Sequence, residues 1–226
     1  MMIVVLIVGA LIVPLCLYAY ASSPLAWGMI RDRTIRVRGG AYRAYREAPQ
    51  VRWIEGRAPI VVRVAAFVGF CLGQAIIPGI PGAIVGTLVA FLAWDEARPH
   101  AFFVGFVLFA PTGLLVASHV LGAGRALLQR APHAAERART AAVWELGHNV
   151  VLLLYLGVIF AVGIRDTDVL LCCGITVVLC VLAIVHACLL FAAANDLEAY
   201  DAAAREAAPA SIQPDPSPGG AASIAP

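Results

Sequence analysis

The sequence predicts an all-α fold, a polytopic bundle of transmembrane helices with five spans. Of the 226 residues, 62% are hydrophobic and 13% are charged, whereas soluble domains carry about 25% charged residues. The hydrophobic residues are concentrated in five segments, at residues 1–21, 60–94, 101–121, 143–164 and 169–194. Each segment is long enough to cross a hydrocarbon core about 30 Å thick, which takes roughly 20 helical residues.

The first segment is interpreted as a span that is retained in the protein. A signal peptide begins with basic residues and has an apolar stretch of about 7–15 residues. Residues 1–21 contain no basic residue, and their apolar run is longer than such a stretch. The basic residues instead follow the segment, beginning at Arg31.

Arginines between the segments predict the topology. Residues 22–59 form a basic loop and residues 122–142 hold four further arginines, whereas the two other connections are short and hold one each. Short arginine-rich loops stay in the cytoplasm, so the N-terminus is expected outside, the C-terminal tail inside, and the number of spans odd. All sixteen basic residues are arginine, which is typical of a GC-rich genome. The predicted location is the inner membrane of such a bacterium.

The basic loop combines arginines with aromatic residues, a pattern typical of a segment at the membrane interface. The arginines are expected to contact anionic headgroups, and the aromatic ring is expected to lie at headgroup depth. The predicted interfacial residues are Arg31, Arg33, Arg36, Arg38, Arg43, Arg46 and Trp53. Beside five predicted spans, this pattern favours the lipid bilayer as the partner and not a nucleic acid.

Residues 60–94 allow two interpretations. These 35 residues would form a helix about 50 Å long, and the run from Pro78 to Gly82 holds two prolines and two glycines, which break helices. The segment is either one crossing with a broken helix, which the arginine pattern favours, or a hairpin, which would raise the total to six spans. Small residues at intervals of four favour the hairpin, because they let helices approach closely. Four of these small residues are also predicted to form a surface for self-association or for contact with other membrane subunits: Gly69, Gly73, Gly82 and Gly86.

The chain after the last span divides into two parts. Residues 195–208 are expected to continue the final helix into the cytoplasm, and the proline- and alanine-rich remainder to residue 226 is expected to be disordered. The predicted organisation is a transmembrane domain at 1–194, with its basic loop at 22–59, and a tail at 195–226. All six cysteines lie within apolar segments and are interpreted as packing residues.

Polar residues in the last three spans form the candidate site. His119 ends the third segment, and Glu145 and His148 lie in the first two turns of the fourth. His186 lies about two turns before the end of the fifth. Because consecutive spans run antiparallel, these side chains are expected at the same depth in the membrane. Ionisable residues in a bilayer are costly and usually face the bundle interior.

Three interpretations of this group are open. Its side chains can tie helices together by hydrogen bonds, or they can form a proton or solute pathway. They can also hold a cofactor, since these residue types ligate zinc, iron and copper and paired histidines ligate haem b. The candidate haem ligands are His148 and His186, and the candidate ligands of a single transition metal are His119, Glu145, His148 and His186.

The preferred prediction is a non-enzymatic structural or accessory subunit of a membrane assembly, with no cofactor. The first alternative is a haem- or metal-binding redox anchor that uses the intramembrane histidines. The second alternative is a small-solute or proton transporter. No sequence motif indicates a catalytic residue.

Overall fold

The computed structural model describes residues 10–11, 14–20, 22–27, 40–93, 99–161 and 167–207. Its principal helices are α1 (Ala41–Glu47), α2 (Pro49–Glu55), α3 (Ile60–Ile76), α4 (Ile80–Ala93), α5 (Pro99–Gln129), α6 (Ala134–Ala161) and α7 (Thr167–Ala207). Residues 14–20 and 24–27 are also helical. The described residues contain helices, turns and bends but no strand, which confirms the all-α prediction.

Three helices are long and apolar enough to cross a membrane. The qualifying stretches are Val107–Gln129 in α5, Ala134–Ala161 in α6 and Thr167–Ala203 in α7. α3 and α4 qualify only together, as a pair bent by 43°. The predicted first span falls largely outside the described residues, which omit 1–9, 12–13 and 21. The described part of the chain therefore supplies up to four spans.

α3 and α4 form one bent path, and α5 runs antiparallel to the whole of it. The residues that face each other, in order along the path, are Gln74 and Gly124, Gly79 and Gly113, and Gly86 and Phe109. As the path advances from α3 to α4, the residue numbers of the partners on α5 decrease steadily, from Gly124 to Phe109. A single antiparallel helix therefore packs along both halves. The chain does not reverse direction at the break, so α3 and α4 do not pack against each other as the tight hairpin of the second interpretation.

Three of the four glycines predicted to mediate association contact other parts of the same chain. Gly82 and Gly86 face Leu152 of α6, and Gly73 faces backbone atoms of the N-terminal helical stretch. These contacts replace the predicted packing of one glycine face on the other, because the bent path keeps the two faces apart. Of the four, Gly69 alone has open space around the position of a Cβ atom.

α1 and α2 pack on the end of the bundle where α5 ends. The hydroxyl of Tyr45 donates a hydrogen bond of 2.8 Å to the carbonyl of Gly124. The backbone N–H of Tyr42 donates to Asp196 of α7 at 3.2 Å. Burial raises the pKa of Tyr45 well above its usual value, because the charged phenolate would lose its hydration. The second half of the basic loop is thus an ordered cap on the bundle.

The predicted interfacial residues have different environments. Four of them lie outside the described residues, namely Arg31, Arg33, Arg36 and Arg38. Arg43 and Trp53 are exposed. Arg46 instead turns toward the protein, where it pairs with Glu55 at 2.6 Å and donates to the carbonyl of Leu128 at 3.1 Å. Its guanidinium ties α1 to α2 and to the end of α5.

Alanines bring α6 close to α5 and α7 at this same end. The buried alanines there are Ala123, Ala126, Ala134, Ala135, Ala138, Ala141, Ala142, Ala187, Ala192, Ala193 and Ala194. Beyond them, Arg139 of α6 pairs with Glu198 of α7 and donates to the amide oxygen of Asn195 at 2.8 Å. α7 continues to Ala207, past residue 194 where its predicted span ends.

We expect Gly113→Ala to destabilise the protein, because the added methyl group would lie 2.7 Å from both the Gly79 carbonyl oxygen and the Cβ atom of Ala83. Overpacking of this kind typically costs about 1–3 kcal/mol. Gly122→Ala in the same helix is the control, since nothing lies within 4 Å of its Cβ position. The melting temperature in detergent should fall for the first variant only; equal melting temperatures would contradict the close approach of α4 and α5.

Candidate functional site

Buried polar side chains surround the break between α3 and α4. We define the polar layer as Ser23, Gln74, Glu145, His148, Asn149 and His186. These residues come from the N-terminal stretch, α3, α6 and α7, and all six are buried. Among the described residues, Thr176 is buried as well, but its hydroxyl donates within its own helix, to the carbonyl of Cys172.

The centre of the polar layer is a carboxylate–imidazole pair between α6 and α7. The Nδ1 atom of His186 lies 3.0 Å from each carboxylate oxygen of Glu145, and both side chains are fully buried. Tyr20 is an electrostatic neighbour of the same carboxylate. An isolated charge at this depth would cost several kcal/mol, so each member of the pair makes burial of the other possible.

Asn149, one turn after Glu145 on α6, binds the backbone at the break. Its side-chain amide donates to the carbonyl of Pro78 at 3.2 Å and to the carbonyl of Glu145 at 2.8 Å. Pro78 lies in the turn that separates α3 from α4, where a carbonyl loses its usual helical donor. The amide therefore satisfies a backbone acceptor that the break exposes.

Gln74 extends the polar layer to the N-terminal stretch. Its amide nitrogen lies 3.5 Å from the hydroxyl of Ser23, and the side chain lies against Gly124 of α5. A Cβ atom at position 124 would lie 3.1 Å from this amide. The glycine thus leaves room for a buried amide next to the break.

The four predicted metal ligands are separated into three places. Glu145 and His186 meet, as described above. His148 points to another side of α6, toward Gly82 and the ring of Phe109, whose centroid lies 6.3 Å away. His119 is only half-buried and stacks on Trp144, with centroids 5.6 Å apart and planes inclined by 3°.

This separation limits the number of ligands that the side chains can present together to a cofactor. Among the described residues, no three His, Cys, Asp or Glu side chains are arranged to hold a metal ion. The two histidines predicted to hold haem face different neighbours: His186 faces Glu145, and His148 faces α4 and α5. Their Nε2 atoms are alike in one respect, since both are buried without a hydrogen-bond partner in the described part of the chain.

Comparison of the chain with protein-family models, curated proteins and solved structures finds no match. Any functional conclusion therefore rests on the geometry of the polar layer and on the surface of the helices. The sequence predicts one depth for Glu145, His148 and His186, and of these Glu145 and His186 are in contact. Sequence reasoning missed Gln74 and Ser23 as members, because an amide and a hydroxyl alone in apolar segments give little signal.

We expect Glu145→Ala and His186→Ala to be non-additive by about 1 kcal/mol in a double-mutant cycle. Interhelical hydrogen bonds in membranes average about 0.6 kcal/mol and reach about 1.7 kcal/mol, and this pair is fully buried, with the His186 Nδ1 atom shared between both carboxylate oxygens. The matched control is a cycle on Glu145 and His119, whose ring stacks on Trp144 instead. Both coupling energies are obtained from free energies of unfolding measured in detergent. A coupling to Glu145 that is as small for His186 as for His119 would contradict the contact between Glu145 and His186.

Proposed function

We propose that this chain is a multi-pass integral membrane protein that acts as a non-enzymatic accessory subunit of a membrane assembly. The observation that carries the proposal is an inverted distribution of polarity. Ionisable and amide side chains are buried in the polar layer, while the outward faces of the long helices are apolar. On α6, more than half of each of the side chains of Val143, Val151, Leu154 and Val158 is exposed. Soluble bundles place polar residues outside, so a surrounding of lipid accounts for this surface.

The proposed topology has five crossings: residues 1–21, the bent path of α3 and α4, and the helices α5, α6 and α7. The contacts of α1 with α5 support this arrangement, because they bring residues 40–59 of the first arginine-rich segment to the end of the bundle where α5 turns into α6. The second arginine-rich segment, residues 122–142, lies at that same turn. Two crossings separate the two segments along the chain, which returns the second to the side of the first. The arginines assign that side to the cytoplasm, with the N-terminus outside. The proposed membrane is the inner membrane of a bacterium.

Reporter fusions test this topology. Fusions after Gln129 and after Ala207 should both report the cytoplasm, because both positions lie at the arginine-rich end. A fusion within residues 94–98 is the control and should report the opposite side. A periplasmic signal after Gln129 would contradict both the orientation and the single crossing by α3 and α4.

The outer face of α3 is the proposed contact with another subunit. An apolar groove of about 570 Å³ lies between Tyr18 and α3. Gly69 opens onto this groove, and Ala65 lines it one turn earlier. Small residues four apart let a second transmembrane helix approach closely. We propose that a transmembrane helix of the partner subunit fills the groove.

Gly69→Leu should dissociate the assembly, because the new side chain would fill the groove that the partner helix needs. Gly174→Leu on α7 is the matched control, since its Cβ position also has nothing within 4 Å. Native electrophoresis of mildly solubilised membranes should show a complex larger than the single chain for the wild type and for the control only. A complex that survives Gly69→Leu, or a wild type that migrates as a single chain, would contradict the accessory role.

A proton or solute pathway is the second candidate function, favoured by the polar layer. Transporters place their binding sites at broken helices near the middle of the bilayer. Here Asn149, which binds the break, lies one turn along α6 from Glu145, which pairs with His186. Proton flux in proteoliposomes that Glu145→Gln abolishes would favour this candidate over the accessory role.

A redox anchor that binds haem or a single metal is the remaining alternative. It would use the buried, unpartnered Nε2 atoms of His148 and His186. An absorption spectrum of the purified protein separates it from the other two functions. A Soret band, or stoichiometric iron or zinc that is lost in His186→Ala, would favour the redox anchor and contradict the accessory role.

A further inference from the structure

We propose that a groove between α5 and α6 binds the phosphate of a phospholipid headgroup. The groove has a volume of about 540 Å³ and lies beside the turn that joins the two helices. Its polar lining consists of Ser118, His119, His133, Glu136, Arg137 and Thr140. The inference rests on the proposed integration into a membrane, and it is independent of the accessory role and of the polar layer.

The groove lies at the boundary between a charged surface and an apolar one. On its side toward the turn, His133 and Glu136 are exposed. On its other side, Leu114 of α5 and Val143 of α6 are 62% and 61% exposed. In a bilayer, this boundary coincides with the depth where the headgroups meet the hydrocarbon.

An aromatic side chain marks the same depth. Trp144 is half exposed and stacks on His119, which lines the groove. Tryptophan is enriched where headgroups meet hydrocarbon, because its ring is apolar and its N–H is polar. A phospholipid whose acyl chains follow the apolar faces of α5 and α6 would therefore place its phosphate in the groove.

Arg137 supplies the charge that a phosphate requires. Glu136, the acidic residue of the lining, faces His133 at 3.6 Å. The guanidinium of Arg137 has no ion-pair partner among the described residues, so it can bind phosphate oxygens in a bidentate manner. Thr140 lies three residues later on the same face of α6 and brings a hydroxyl to the groove. Arginine and threonine thus form the two ends of a phosphate site.

Native mass spectrometry of the detergent-solubilised full chain tests this proposal. The probes are dioleoyl phosphatidylglycerol, dioleoylglycerol, which has the same acyl chains without phosphate, and inorganic phosphate. We expect one retained phosphatidylglycerol on the wild type and no retained dioleoylglycerol. Arg137→Ala should weaken phosphatidylglycerol binding about fivefold, the contribution of one basic residue near an anionic surface. Thr140→Val is a second variant, expected to weaken binding in the same direction.

Arg125→Ala is the matched control, since it removes another exposed arginine from the same end of the bundle, on α5 and outside the groove. It should bind phosphatidylglycerol like the wild type. Equal binding by the wild type, Arg137→Ala and Thr140→Val would overturn the proposal, as would a loss equally large for Arg125→Ala. Inorganic phosphate that displaces the lipid at equal concentration would overturn the assignment to a headgroup. A chain that stays soluble without detergent would instead refute the proposed membrane integration.

Discussion

A break in a helix leaves backbone groups without their usual partners, and the interior of a bilayer has no water to replace them. Residues 77–79 form such a break, so protein groups must satisfy it. The amide of Asn149 reaches the carbonyl of Pro78. Gly82 lies next to this amide: a Cβ atom at position 82 would lie at an ordinary contact distance of 3.7 Å from the amide oxygen, but only 3.0 Å from a methyl group of Leu152. The glycine thus lets α6 pack closely against α4 beside the break.

The same requirement extends to α7 through a chain of contacts. Asn149 also donates to the carbonyl of Glu145, whose carboxylate faces His186. α6 is thereby held at two points by buried polar side chains, to the break through Asn149 and to α7 through Glu145. Such a network is strong only when it is complete, because a buried polar group that loses its partner costs about 1–3 kcal/mol. The polar layer therefore fixes the register of the helices more than it adds to their attraction.

The sequence predicted depth well and rotation poorly. Counting residues along antiparallel spans placed Glu145, His186 and His119 at one level, and the first two do meet. His119 does not join them, because it lies on a different face of α5 and stacks on Trp144. Which face of a helix points inward is read from its apolar stripe, and helices that are apolar all round have none. The rotation about each axis depends on packing that no local pattern records.

The path of residues 60–94 shows a different limit of sequence patterns. Arginine counts and glycine spacing favoured opposite answers there, and the observed path bends by 43° at the break without turning back. The glycines were noted for the right physical property, close approach, but their partners are Leu152 and the N-terminal stretch. Arg46 was expected to face headgroups because it lies among arginines and aromatic residues in the sequence. Its guanidinium instead binds Glu55 and a carbonyl of α5. Spacing identifies a surface that can be approached and does not identify what approaches it.

α7 has 41 residues and is therefore about 60 Å long, roughly twice the thickness of a hydrocarbon core. Its final turns extend beyond the apolar stretch and are held against the bundle by Arg139, which pairs with Glu198, and by the N–H of Tyr42, which donates to Asp196. A domain fused directly to this ordered part of α7 would be held in a fixed direction relative to the bundle. This end of the molecule is accordingly suited to rigid fusion with a soluble marker protein, which would give a small membrane protein a visible feature for particle alignment.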